Sequence, residues 1–476
     1  MNIFDFIVFI WFVTISFSFN YSPEKAISEI NSIAANAEKK GEHSADKITP
    51  SIYEVLNVAN KSDNGNNEDL KNAQENAIAK LLYLVEPVTK INSSKELKAN
   101  LKTIVSEARD MVQDNVAFVS HGIKPNDFVN SQGGFSYELN NVENNNTKEP
   151  ALKIYPKADS VDPGYSIAEE KLRSSVHIPD TFEFEKSEKE PVLFIPATGV
   201  PGGMTYYYTL RKSLNSTGLV DPVWLNDPDH MLSDIQTSAE YIAYAVNYIA
   251  GITGKNVTII SLSQGNLASQ WLLRYWKSAR SNVDNFIAIS PDFHGTTKNV
   301  GCPPPNTTGC PPAALQKTYH TNFVNTLWKN GGGSALVPTT IVYSGDDQVV
   351  SPKKGSNSSF SLNDGYKAGV ELNDVKKLCK DKPAGDRFFH ESMVYNPLVH
   401  ELTIDAIKHE GPGNAGRIDL DSVCRKYLHE SLSVEDAILS EAVDIRTGIH
   451  TLSYYKKTKE PTVNEYANTN ITETFL

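Results

Sequence analysis

Four short apolar runs constrain this chain more than any other feature: PVLFIPATG (191–199), NVTIISLSQG (256–265), NFIAISPDFHG (285–295) and PTTIVYSGDDQ (338–348). Each is rich in β-branched residues, each is bounded by Pro, Gly or Asp, and enough chain for a helix separates each from the next. Strands that are apolar on both faces and joined by helical crossovers build a parallel sheet covered on both sides. The predicted fold class is therefore α/β, a mostly parallel sheet covered by helices. Reactive groups in such sheets gather at the carboxyl ends of the strands.

The rhythm before that region is different. From Tyr21 to about Asn115 the pattern is helical and polar, with Leu97, Leu101, Ile104, Ala108 and Val112 on one face. Ser93 and Glu96 have capping-box spacing at the start of that run. A second run carries Leu70, Ala73, Ala77, Leu81 and Val85, and the two are expected to pack together. SDNGNN (62–67) and NNVENNNTKEP (140–150) read as linkers. The expected division is a signal peptide over 1–19, a helical N-terminal region or pro-region over 20–165, a catalytic domain over 166–440 and a C-terminal tail over 441–476.

Across 476 residues, 45 Lys plus Arg face 57 Asp plus Glu, for a net charge of −12, and no long basic run occurs. Nucleic acid is not an expected partner. Ile7 to Phe19 carries no charge but is shorter than the ~20 residues a spanning helix needs, so it reads as the apolar core of a secretory leader. Nine Asn-X-Ser/Thr sequons, at Asn20, Asn60, Asn92, Asn145, Asn215, Asn256, Asn306, Asn357 and Asn470, fit a secreted, extracellular glycoprotein. The four cysteines are an even number, as two bridges require.

The sharpest local signal is Ser261-Leu262-Ser263-Gln264-Gly265, placed after the strand NVTII and before a run with Leu267, Ala268, Trp271, Leu272 and Tyr275 at helical spacing. Strand, tight turn and helix are the context in which a serine hydroxyl is exposed as a nucleophile. A neutral serine needs an imidazole base oriented by a carboxylate, in the chain order Ser, Asp, His. Asp347 follows the strand run TTIVYSG, with Asp346 as its direct rival. Of His390, His400, His409, His429 and His450, the reading favours His400, which sits just past Asn396-Pro397 at a loop end and opens the helical run ELTIDAIK. Oxyanion donors are expected from the backbone N–H of Gln264 and from the turn Ala197-Thr198-Gly199, where Thr198 adds a hydroxyl.

FIPATG, WLNDPDHMLSDIQTSAEY, TIISLSQGNLASQWLLRYW, ISPDFHG and VPTTIVYSGDDQVV together resemble the secreted fungal lipases of the Candida antarctica lipase B type, from about residue 170 to about 440. The Ser-x-Ser-x-Gly elbow is part of the likeness, since that family departs from G-x-S-x-G at the same place. The resemblance implies an α/β-hydrolase fold, hydrolysis of carboxylic esters including acylglycerols, and no metal or other cofactor. It implies Ser263, Asp347 and His400 as the triad, Thr198 and Gln264 as the oxyanion donors, and Asp292 as a supporting carboxylate. It also implies a disulfide between Cys379 and Cys424, which leaves Cys302 and Cys310 for a local bridge. The expected partner is a lipid or small ester substrate, met by a monomer able to work at a lipid interface. Two other readings keep the same scaffold: a catalytically silent surface-binding protein, and an acyltransferase that passes the acyl group to an alcohol.

Overall fold

The structure, a computed structural model, describes residues 21–62, 67–107, 110–124, 137–184, 187–298, 301–302, 309–355, 357–409 and 411–468. The expected leader, the sequons at Asn20, Asn306 and Asn470, and Ala108 lie outside the described residues.

Among the described residues, seven strands form one sheet: β1 (Val176–His177), β2 (Glu190–Ile195), β3 (Val220–Leu225), β4 (Val257–Leu262), β5 (Val283–Ile289), β6 (Thr339–Tyr343) and β7 (Val370–Asp374). Their order is β1-β3-β2-β4-β5-β6-β7, with β1 antiparallel to β3 and every other neighbouring pair parallel. The four apolar runs are β2, β4, β5 and β6. Alternation along them feeds two cores: Val192, Phe194, Ile260 and Ile287 face one, while Leu193, Ile195, Ile259 and Phe286 face the other. The helices Ile235–Thr253 and Gln264–Tyr275 cover the second face, and Pro397–His409 contributes to the first. The sequence gives no clear signal for β3, because Asp221 and Pro222 interrupt its apolar run.

Among the described residues before Ile123 there are five α-helices: α1 (Pro23–Lys40), α2 (Ala45–Lys61), α3 (Glu68–Leu84), α4 (Ser94–Glu107) and α5 (Met111–Ser120). The single apolar face expected to continue through Val112 is in fact two helices. The carboxylate of Asp110 accepts from the N–H groups of Val112 and Gln113, so α5 starts anew there. The two predicted runs do not chiefly pack on each other: α3 packs on α1 and α2, and α4 packs on α5.

The stretch expected as a C-terminal tail is structural over its described part. The helix Val443–Ser453 packs between α3 and α5, and Ile445, Ile449 and Leu452 are fully buried in the core that also holds Leu81 and Val116. Each such side chain contributes ~1.5–3 kcal/mol of burial. Gly448 lies where Asn115 of α5 leaves no room for a Cβ.

Residues 140–150, read as a linker, are a tied strap. The Asn144 and Asn146 amides donate to the carbonyls of Ser174, Arg173 and Val176, and the Tyr248 hydroxyl donates to the carbonyl of Lys148. Both bridges form, Cys379–Cys424 with Cα atoms 5.2 Å apart and Cys302–Cys310 with Cα atoms 4.8 Å apart. Among the described residues no helix is long and apolar enough to cross a membrane.

Candidate active site

β4 delivers Ser263 to its carboxyl end in a conformation few side chains adopt, with φ 54° and ψ −129°. Such backbone costs ~1–3 kcal/mol and persists only where the surroundings enforce it. They do so here: the Ser263 N–H donates to the carbonyl of Ile289 at the end of β5, and Asn266 Nδ2 donates to the carbonyls of Ser263 and Ile289. Gly265 is required by close approach, since a Cβ there would lie 2.5 Å from the carbonyl oxygen of Pro196. Ser261 tolerates its hydroxyl because Oγ pairs with Ser269 Oγ at 3.0 Å.

The Thr198 hydroxyl donates to Gln264 Oε1 at 2.8 Å, which joins the two expected oxyanion residues directly. Gln264 opens the helix Gln264–Tyr275, so its N–H is one of the four donors without an intrahelical acceptor. The turn carrying Thr198 is gripped from both sides. Gly199 N–H donates to the His230 carbonyl at 2.7 Å, and buried His450 donates from Nδ1 to the Gly199 carbonyl at 2.6 Å. Burial, then Arg446, push His450 down to about 3, so its ring is neutral.

Asp347 is fully buried after β6, and its Oδ1 accepts from the N–H groups of Val349 and Val350, each at 2.8 Å. The rival Asp346 is instead paired on the surface with Lys376 Nζ at 2.7 Å.

The histidine expectation is corrected. Asp347 Oδ2 meets His390 Nδ1 at 2.7 Å, not His400. His400 lies within the helix Pro397–His409, where its Nδ1 reaches Ser213 Oγ at 3.0 Å and its ring lies against that of His429, centroids 3.9 Å apart. Since Ser213 Oγ donates to the Leu210 carbonyl, it accepts from His400, which is thereby committed to a structural bond. Burial, then His429, push His400 down to about 3.

His390 precedes the short helix Glu391–Tyr395 and is 3% exposed. Burial disfavours its charged form, but the charge and hydrogen bond of Asp347 outweigh this and hold the ring above its ordinary value. Its Nε2 is buried without a hydrogen-bond partner. The signal for His390 in the sequence is the apolar run FFHESMVY: a fully buried acid can orient only a histidine that is buried with it.

Ser263, Thr198, Asp347 and His390 line one cavity of about 760 Å³. Leu262, Val394 and Val443 supply apolar wall, and Val105, Met111 and Phe118 from α4 and α5 close another side. Asp292, the expected supporting carboxylate, is buried after β5, and burial raises it to about 6 against the opposing charges of Lys317 and His390.

Over 184 residues the chain is 32% identical to lipase B of Pseudozyma antarctica, a match covering 37% of this chain and 52% of that protein, so about half of that relative's length is spanned. The crystal structure of Aspergillus fumigatus lipase B superimposes with a TM-score of 0.78 at 36% identity, covering 87% of this chain and 99% of that one. The chain belongs to the lipase B family of α/β-hydrolases. No family model matches it. The share of this lipase B family member that matches the Aspergillus structure exceeds what the residues after Tyr165 supply alone, so the likeness reaches into the N-terminal helices.

Proposed function

We propose that the chain is a serine carboxylic-ester hydrolase acting on lipid or small ester substrates through Ser263, His390 and Asp347. The observation that carries this reading is the 2.7 Å contact of Asp347 Oδ2 with His390 Nδ1, with Nε2 left free in the cavity that Ser263 also lines. A fixed Nδ1–H leaves a lone pair on Nε2, the atom a general base uses.

In this mechanism Ser263 Oγ attacks the acyl carbonyl carbon while its proton passes to His390 Nε2. The carbonyl electrons become an oxyanion, held by the Gln264 N–H and the Thr198 hydroxyl, which turns from Gln264 Oε1 to the new charge. Collapse breaks the bond to the alcohol, which leaves with the proton from His390. Water then repeats the sequence on the acyl-enzyme and releases the acid. Burial strengthens each of these interactions, and one oxyanion donor is worth ~3 kcal/mol.

Secretion belongs to the same reading. It is supported by both cysteine pairs being bridged and by the exposure of all six described sequon residues, Asn60, Asn92, Asn145, Asn215, Asn256 and Asn357. The test is an activated alkyl phosphonate ester, which should label Ser263 stoichiometrically and abolish p-nitrophenyl ester turnover. A folded protein whose Ser263 stays unlabelled would overturn the proposal.

A further inference from the structure

Hydrolysis of a neutral ester does not in itself call for a buried ammonium group, yet Lys317 is 5% exposed and lines the cavity with Ser263. Its backbone is pinned after the helix Pro312–Gln316: its N–H donates to the Ala313 carbonyl at 2.9 Å, and its carbonyl accepts from Thr296 at 2.8 Å. From there Nζ reaches Thr198 Oγ1 at 2.7 Å.

Lys317, Thr198 and Gln264 thus form a directed chain. The ammonium donates to the Thr198 hydroxyl, the hydroxyl donates to Gln264 Oε1, and Gln264 Nε2 donates to the Met231 carbonyl at 2.7 Å. An ammonium has only protons to give, so Thr198 must accept from it and keeps its single proton for another partner. Hydrogen bonds in series polarise one another, which makes a hydroxyl that accepts from a cation a better donor.

Resting on the hydrolase reading, we propose that Lys317 is a positioning residue for ester hydrolysis: its ammonium fixes and polarises the Thr198 hydroxyl, so that this hydroxyl stabilises the oxyanion formed on attack by Ser263. When the oxyanion forms, the Thr198 proton swings to it from Gln264 Oε1 while Lys317 Nζ holds Oγ1 in place. The cation also adds positive potential beside the developing charge, in surroundings where water does not screen it. Asp292, buried in the next loop with Oδ1 unpartnered, supplies the compensating charge.

The charge of Lys317 is poised. Burial pulls it down to about 8 against the opposing pull of Asp292. The other charged groups around the cavity are Asp346, Asp347 and Lys353 on the loop after β6, Lys298 after β5, His390 and Glu391 at the short helix Glu391–Tyr395, Asp114 on α5 and Asp444 on the helix Val443–Ser453. Lys353 is also drawn down, by burial, and is the lysine that must be distinguished from Lys317.

The experiment is steady-state turnover of a soluble p-nitrophenyl ester against pH by wild type, Lys317→Met, Lys317→Gln, Lys353→Met, Thr198→Val and the Lys317→Met/Thr198→Val double variant. Thermal melts report folding for each, and Lys317→Gln keeps a neutral donor should the Met variant fail to fold. Lys317→Met should lower kcat about tenfold to a hundredfold with KM within about threefold, because less than one full donor is lost. Lys317→Gln should retain part of kcat. Wild type and Lys353→Met should lose kcat as pH rises through about 8, and Lys317→Met should lack that alkaline limb. The double variant should be no slower than Thr198→Val alone, because Lys317 acts through that hydroxyl. A folded Lys317→Met with kcat within twofold of wild type, an alkaline limb that survives it, or losses that multiply in the double variant would overturn the proposal. Loss of all turnover and phosphonate labelling in wild type would instead overturn the hydrolase reading beneath it.

Discussion

Asp347→Asn removes one charge and almost no volume, yet it should disable the histidine beside it. Asp347 uses both oxygens: Oδ1 accepts two backbone N–H groups at 2.8 Å, and Oδ2 meets His390 Nδ1 at 2.7 Å. An asparagine must keep its carbonyl oxygen toward the N–H pair of Val349 and Val350, since turning its NH₂ there would set donors against donors in a fully buried site. Its NH₂ then points at His390 Nδ1, which can only accept. The ring proton moves to Nε2, and the base has no lone pair for the Ser263 proton. The expected loss in kcat is about 10⁴-fold, or about 5.5 kcal/mol, for a wrong tautomer in an otherwise intact triad. Asp346→Asn, which breaks only a surface pair with Lys376, should leave kcat within about twofold. Both are read with a soluble p-nitrophenyl ester, and a melt verifies that Asp347→Asn remains folded. An Asp347→Asn enzyme within tenfold of wild type would refute the tautomer argument.

Gly265→Ala should destabilise by about 1–3 kcal/mol and lower kcat together, because its Cβ drives the Pro196 carbonyl and the attached Thr198 turn outward; an unchanged melting temperature counts against that packing. Replacing both Cys379 and Cys424 by Ser should cost up to about 4 kcal/mol in the chain-entropy description, measured by denaturant unfolding. The docking of α5 should weaken as pH rises. Burial, then Glu391, lift Asp114 to about 6, and burial, then Glu391, lift Glu441 to about 7, while burial, then Glu391 and Glu441, hold Asp444 well above its ordinary value. The docked state therefore binds these protons more tightly than the undocked one, so its advantage is full at acid pH and is lost on rising through about 6 to 7. Protection factors along α5, taken relative to the base-catalysed intrinsic exchange rate, should fall between pH 5 and 8 and fall less in Asp114→Asn; protection that does not change with pH would contradict this.

The sheet is legible in the sequence because β2, β4, β5 and β6 are apolar on both faces, and no solvated structure tolerates that. Ser263 is legible because its strand, turn and helix context is local. The pairing of Asp347 with His390 is not, since the order Ser, Asp, His is satisfied equally by His390 and His400, and a loop-end position favours His400, which the structure places on Ser213 instead. What separates them is the shared burial of Asp347 and His390, a contact between residues far apart in sequence. Lys317 carries no signal of its own: in AALQKTYH it is one lysine among polar neighbours, and its meaning comes from Thr198 on a different strand's loop. The apolar stripes Leu70–Val85 and Leu97–Val112 are visible, but an apolar stripe does not name what it covers: α3 packs on α1 and α2 and also on the helix Val443–Ser453, which comes from a stretch that reads as tail.

The catalytic reading turns on His390, rather than His400, being the base, and kcat for His390→Ala beside His400→Ala tests it most directly. His390→Ala should lose about 10⁴-fold or more while folding normally. His400→Ala should retain kcat within a few-fold and show its effect in the melting temperature, because it gives up only the bond to Ser213 and the contact with His429. The reverse pattern, an active His390→Ala beside a folded but inactive His400→Ala, would contradict the account.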